Sequence, residues 1–180
     1  MKKFIALVVM FCAVIFSSTA SATVPLCDED VPTVTQKLQE LPDIKIWGME
    51  KKSANGISGY SGYFGDSKNN CLTFLTENDG TIKAVGIESQ FGDDKVVVEQ
   101  MLKLACGTLV IAGVTLDDVA NLMQEIVSDM EKALTNNSKL KKYEKSFYAP
   151  AQTGRKIVLN FSAKEITSDF GEFKFIIFAE

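Results

Sequence analysis

Histidine does not occur anywhere in the chain. Its absence removes the Ser-His-Asp and Cys-His arrangements, the imidazole ligands of most zinc and copper sites, and the commonest general base. A carboxylate pair, a Ser-Lys dyad or an all-oxygen metal site are the chemistries left. Ser138-Lys139-Leu140-Lys141 has the S-x-x-K spacing of such a dyad, but that chemistry also needs S-D-N and K-T-G elements. Neither occurs, and Gln152-Thr153-Gly154 lacks the lysine. Beside Asn136 and Asn137 the segment reads as a loop after a helix. Placing Gly80 at the obligatory glycine of a calcium loop puts Asp79 on a ligand position, yet Leu75 would then be the first ligand and Gly86 the bidentate glutamate. A hairpin turn is expected there instead. The acids of Cys27-Asp28-Glu29-Asp30 have sufficient reason to stand at a helix start in the macrodipole. No catalytic residue, metal site or cofactor is assigned.

The first 22 residues determine how the thiols are read. Lys2 and Lys3 precede an apolar run from Phe4 to Phe16, and small residues follow, ending Ala20-Ser21-Ala22. These are the three regions of a cleavable secretory signal, and the run is shorter than the ~20 residues a retained membrane helix needs. Cys12 lies inside the run and Cys27 follows Pro25-Leu26, so neither stands where a lipoprotein signal places its cysteine. Cleavage after Ala22 would leave 158 of the 180 residues, one domain from 23 to 180 with a periplasmic or secreted location. Without Lys2 and Lys3 the net charge moves from −4 to −6, which disfavours nucleic acid and anionic lipid as partners. No membrane span is expected in the processed chain. Cys27, Cys71 and Cys106 would meet an oxidising compartment. Cys71 opens a strand pattern and Cys106 lies in a helix pattern, so a Cys71–Cys106 disulfide is favoured, with the two pairings that use Cys27 as alternatives.

The elements that must position these groups follow from period and punctuation. A short helix starts at Asp30, with Pro32 in its first turn and Val31, Val34, Leu38 and Leu41 on one stripe. Residues 44–91 alternate in short runs cut by Asn55-Gly56, Gly65-Asp66, Asn69-Asn70 and Asn78-Asp79-Gly80, the pattern of an antiparallel meander of about four strands. After Gly92-Asp93-Asp94 comes a mostly buried helix from Val96 onward, expected to end or break at Gly107 and Gly113. Thr115 then caps a long amphipathic helix with Leu116, Val119, Ala120, Met123, Ile126, Val127, Met130, Ala133 and Leu134 on its apolar side. Strands return at about 140–149, 155–163 and 172–179, the last apolar on both faces and therefore interior. The fold class is α+β, with antiparallel sheet from two meanders packed on two or three helices in the order helix, meander, helices, meander. At the level of topology this order resembles tandem helix-and-meander inhibitor domains, which bears on fold rather than function.

Two segments have the composition of binding surfaces. Between Gly56 and Gly65, glycine recurs every third residue among Tyr60, Tyr63, Phe64 and serines. This joins rigid aromatic area to an adaptable backbone; a twisted edge strand with bulges is the plainer account. The hairpin Phe147–Arg155 carries Tyr148 and Arg155, the sole arginine, around a Pro/Gly turn, both anchor types at interfaces. The expected function is an exported, non-catalytic interaction module, an inhibitor or immunity-type protein binding another envelope or secreted protein. The alternatives are a periplasmic small-molecule or lipid-binding domain using the space under the long helix and, third, a histidine-independent hydrolase. N-terminal sequencing of the exported protein should begin at Thr23; an intact Met1 in the soluble fraction would overturn the assignment of residues 1–22.

Overall fold

The computed structural model describes residues 24–54, 57–91, 95–136, 142–164 and 171–180. Residues 1–22, expected to be a leader, the Asn55-Gly56 and Gly92-Asp93-Asp94 signals and the Ser138–Lys141 segment lie outside the described residues. Along the chain run α1 (Val31–Gln39), β1 (Ile46–Ala54), β2 (Ile57–Phe64), β3 (Asn70–Thr76), β4 (Ile82–Phe91), α2 (Lys95–Ile111), α3 (Leu116–Asn136), β5 (Lys142–Pro150), β6 (Lys156–Lys164) and β7 (Gly171–Ala179). This is the expected α+β order. The two meanders join in one seven-stranded antiparallel sheet, β1-β2-β3-β4-β7-β6-β5, closed by the pairing of β4 with β7.

Helix ends follow local chemistry. Asp30 caps α1 by accepting the Thr33 N–H at 2.9 Å. The Thr115 hydroxyl accepts the Asp118 N–H at 3.2 Å, capping α3, and donates to the Asp118 carboxylate at 2.7 Å, which orients it. At the end of α2, Gly113 takes φ 91°, its N–H donates to Val110 O at 2.9 Å, and the Val114 N–H reaches back to Leu109 O at 3.0 Å. That pair of bonds is a Schellman motif. Gly107 does not break α2, contrary to the sequence expectation, because the helix runs through it. A Cβ there would stand 2.8 Å from Leu41 Cδ1 and 2.9 Å from Leu38 Cδ2, so the glycine lets α1 lie close against α2.

The helices pack on one face of the sheet. On that face the strands line up rows of cross-strand neighbours: Tyr60, Phe74, Val85, Ile177, Leu159 and Phe147, and beside them Leu72, Ile87, Phe175 and Phe161. Phe161 stacks on Phe175 and Phe173 with centroids 4.9 and 5.8 Å apart. Met101, Leu104 and Leu109 of α2 and Val31, Val34 and Leu38 of α1 belong to the same core. The apolar stripe of α3 is rotated from the expected one. Val119, Leu122 and Ile126 are buried, whereas Leu116 and Val127 stand 74% and 51% exposed. The helix lies over the marginal strand β5, so only a narrow i, i+3, i+7 strip reaches the core. A polar tie to the sheet adds to that strip: Asp129 Oδ2 accepts the Tyr143 hydroxyl at 2.6 Å and lies 3.0 Å from Lys145 Nζ. These bonds hold the Asp129 carboxyl below its usual range, and burial together with the same bond pushes the Tyr143 phenol up.

The expected disulfide is not present. Cys27, Cys71 and Cys106 are all free thiols. The reason is the two-residue period of a strand: Leu72 points into the helix-side core, so Cys71 points away from it, while Cys106 on α2 packs against that core. The sheet itself separates the two sulfurs, and the spacing argument could not assign Cys71 to a face.

Gly107→Leu should lower the unfolding free energy by about 1–3 kcal/mol, the usual cost of overpacking. The intrinsic helix gain of about 1 kcal/mol for replacing glycine offsets only part of that. Denaturant unfolding checks it; a stabilised variant would show that α1 is not held tightly on α2.

Candidate functional site

The other face of the sheet carries three rows of seven residues. The first is Trp47, Tyr63, Cys71, Glu88, Lys174, Ser162 and Glu144; the second Glu50, Ser61, Thr73, Gly86, Ile176, Asn160 and Ser146; the third Lys52, Gly59, Leu75, Ala84, Phe178, Val158 and Tyr148. Each row runs across all the strands, about 29 Å from β1 to β5 at the usual strand spacing. Their chemistry is graded. The first is aromatic and charged, the second mostly small and hydrogen-bonding, and the third apolar at its centre.

That apolar centre is a second hydrophobic cluster. Ala84, Val158, Ile176 and Phe178 are 5% exposed or less, and Leu75 packs against them. All buried apolar side chains of the three helices belong to the first cluster, and the second contains strand residues only. Among the described residues, therefore, no helix covers this face. Next to the cluster sits an ion pair, Lys174 Nζ 3.7 Å from Glu88 Oε2. Burial pushes the Glu88 carboxyl up and the Lys174 ammonium down, each against the attraction of its partner. Asn160 Oδ1 in the middle row is buried without a hydrogen-bond donor.

Aromatic side chains flank the face at both ends. Trp47 donates its indole N–H to Gly65 O at 2.7 Å and lies over Tyr63 with centroids 4.8 Å apart. At the far side Tyr148 is 55% exposed, with Lys156 Nζ 4.0 Å from its ring centre. Of the residues singled out from the sequence, Tyr63 and Tyr148 thus share this face, five strands apart, about 24 Å at ordinary strand spacing. Phe64 is fully buried on the helix side, and Tyr60 is half-buried against the same core. Arg155 turns elsewhere: its Nη2 lies 2.6 Å from Asp28 Oδ1, tying the hairpin to the segment before α1. The recurring glycines of β2 serve close approach. A Cβ on Gly59 would lie 2.5 Å from Phe74 O, and one on Gly62 would lie 3.0 Å from Trp47 O and Met49 Cα.

β7, apolar on both faces, is interior as expected, with Ile176 and Phe178 on this face 5% and 3% exposed; sequence reading did not single out Val158, which interrupts the polar side of β6 and is buried beside them. The Glu77–Ile82 segment is a hairpin turn, with Asp79 accepting the Thr81 N–H at 2.9 Å and Glu77 N–H bonded to Thr81 O. Among the described residues no group of three or more Cys, Asp or Glu is placed to hold a metal ion. No helix among them is long and apolar enough to cross a membrane. Comparison with protein-family models, curated proteins and solved structures finds no match.

The thiols make poor nucleophiles. Burial raises all three, Cys71 up to about 11, so at pH 8 only roughly one Cys71 in a thousand is the reactive thiolate. Alkylation of Cys71 should therefore run about a hundredfold slower at pH 8 than that of a thiol of pKa 9, and should still climb about tenfold per unit between pH 9 and 10. Mass-spectrometric time courses across that range check it. Rapid modification at pH 8 would mean that Cys71 is neither buried nor held neutral.

Proposed function

We propose that the chain is an exported, non-catalytic interaction module whose open sheet face takes an apolar segment of another envelope or secreted protein. The observation that carries the reading is the strand-only cluster of Leu75, Ala84, Val158, Ile176 and Phe178 on the face that no described helix covers. The cluster itself is buried, so the surface a partner would touch lies on its rim, where Tyr148 stands 55% exposed. The rims here have the residue types that dominate measured binding energies, Trp47 and Tyr63 at one end and Tyr148 at the other. The absence of histidine and the neutral thiols weigh against nucleophilic catalysis.

The face is graded, so it also selects. An apolar segment laid along the third row would pack on its less buried members, Tyr148 and Leu75. A charged one meets no compensation in the cluster and, at the first row, meets an ion pair already satisfied by its own members. Burying such a charge without a partner is costly, which is how a surface of this kind rejects hydrophilic chains.

Photo-crosslinkers placed at Ser146 or Tyr148 should label the partner in an envelope extract, while one at Gln124, exposed on α3, should not. In parallel, Tyr148→Ala should weaken capture about tenfold or more, a hot-spot loss of at least ~1.4 kcal/mol, with an unchanged melting temperature. Phe64→Ala should instead cost about 3–5 kcal/mol of stability, as a truncated core aromatic does. Equal labelling from both faces, or capture indifferent to Tyr148, would sink the docking face. Native mass spectrometry showing a bound small molecule or lipid would favour the alternative of a ligand-binding domain.

A further inference from the structure

We infer that the exposed flank of α3 is a second docking seam, separate from the sheet face, which pairs with an amphipathic helix of another protein whose own apolar seam is bordered by lysine or arginine.

The seam is what the core leaves over. α3 buries Val119, Leu122 and Ile126, and a helix over a marginal strand needs no wider strip to hold it. On the adjoining flank stands a further apolar stripe, Leu116, Ala120, Met123, Val127 and Met130, spaced four, three, four and three residues apart. Leu116 is 74% and Val127 51% exposed, Ala120 is exposed, and Met123 and Met130 are half-buried where they pack against the core. Alternating steps of three and four keep apolar side chains on one line, the spacing by which two helices pack knobs into holes. From Leu116 to Met130 the stripe runs about 21 Å. That length holds the i, i+3, i+4 and i+7 anchors through which helices are recognised in apolar grooves.

Charge selects the occupant. On one side the stripe is bordered by the buried strip. On the other come Asp117, Gln124 and Glu131, with Asp118 and Glu125 behind them, and Lys132 is the only basic residue in α3. A second copy of this chain is a poor occupant. Laid antiparallel it sets Asp117 against Glu131, laid parallel it sets each of these against itself, and like charges across a helical seam select against that pairing. An anionic membrane surface is repelled by the same acids. A helix with Lys or Arg beside its seam meets both features, apolar area on Leu116 and Val127 and opposite charge beside Asp117 and Glu131. α3 lies on the helix side of the sheet, so this seam does not use Tyr148 and stands or falls apart from the sheet-face reading.

The probes are two synthetic peptides of three heptads with leucine at the seam positions, one with lysine and one with glutamate at the bordering positions, titrated into the full chain and read by fluorescence anisotropy. At low ionic strength the lysine peptide should bind about tenfold or more tightly than the glutamate peptide. Leu116→Gln with Val127→Gln should weaken it about tenfold at an unchanged melting temperature, since both side chains are exposed and glutamine is a good helix former. Asp117→Lys with Glu131→Lys should reverse the preference, making the glutamate peptide the tighter ligand. Tyr148→Ala should leave the lysine peptide unaffected, and a photo-crosslinker at Gln124 should label it. In the envelope extract that position would then capture a protein other than the one labelled from Ser146 or Tyr148. Equal affinity for the two peptides, or binding indifferent to Leu116 and Val127, overturns the seam. Loss of binding in Tyr148→Ala moves the peptide to the sheet face, overturning the seam while the docking reading of that face stands. A chain that sediments as a dimer dissolved by Val127→Gln, or that co-sediments with phosphatidylglycerol vesicles, replaces the helical partner by a second copy or a membrane and overturns the inference.

Discussion

The pairing of β4 with β7 is the contact on which the rest of the architecture depends. Eight residue pairs, from Ala84–Phe178 to Phe91–Gly171, join strands from the two meanders into one sheet. Either meander alone would leave a long unpaired edge beside a half-covered core. Joined, the two seam strands send Val85, Ile87, Phe175 and Ile177 into the helix-side core and Ala84, Ile176 and Phe178 to the opposite face. The chain leaving β4 must return to the far margin at β5, and it does so through α2 and α3 over the same face that α1 occupies. Among the described residues, all the helical cover thus lies on one side of the seam.

The ion pair beside the seam constrains its register more than it stabilises the sheet. Glu88 and Lys174 are direct cross-strand partners, yet burial shifts both toward their neutral forms, so desolvation outweighs their mutual attraction. A buried pair of that kind is a weak source of stability. Its effect on specificity is clearer. Sliding β7 by one residue along β4 would turn Lys174 toward Val85, Ile87 and Phe161 and turn Phe175 outward, because side chains alternate with a period of two. An ammonium without a partner in that core would cost far more than the pair itself does. The two charges thereby penalise the wrong register between meanders that are distant in sequence.

Much of the fold was legible because it is written locally. Asp30 and Thr115 cap helices as their types require, Asp79-Gly80 makes a hairpin turn, and strict alternation marks β6. What was not legible is which face each side chain takes relative to elements far along the chain. The Cys71–Cys106 pairing failed on that point, since spacing does not reveal that a sheet stands between them. The rotation of α3, with Leu122 buried and Val127 exposed, failed on it too, because a helix over a marginal strand buries a narrower strip than one over the middle of a sheet. At the candidate site, aromatic and glycine content drew the sequence reading to β2. There Phe64 proves to be core and the glycines prove to be points of close approach. The apolar residues of β7 on both faces were legible as the mark of an interior strand, and β7 does lie between β4 and β6 with Ile176 and Phe178 buried.

The margins of the sheet disfavour association by strand addition. A free edge is the obvious place for another chain to add a strand. Both edges here are blunted. β1 has a register shift between Trp47 and Glu50, and Lys51 and Lys52 follow it. β5 exposes Lys142, Glu144 and Lys145 and ends in Pro150, whose nitrogen cannot donate. Bulges, edge charges and terminal proline are the devices that keep sheets from pairing edge to edge. With backbone pairing discouraged at both margins, the apolar cluster outside the helix-side core lies on the sheet face. Under the docking proposal a partner would meet side chains on the rim of that face, Tyr148 foremost, so recognition would depend on the shape and polarity of the incoming segment rather than on its backbone.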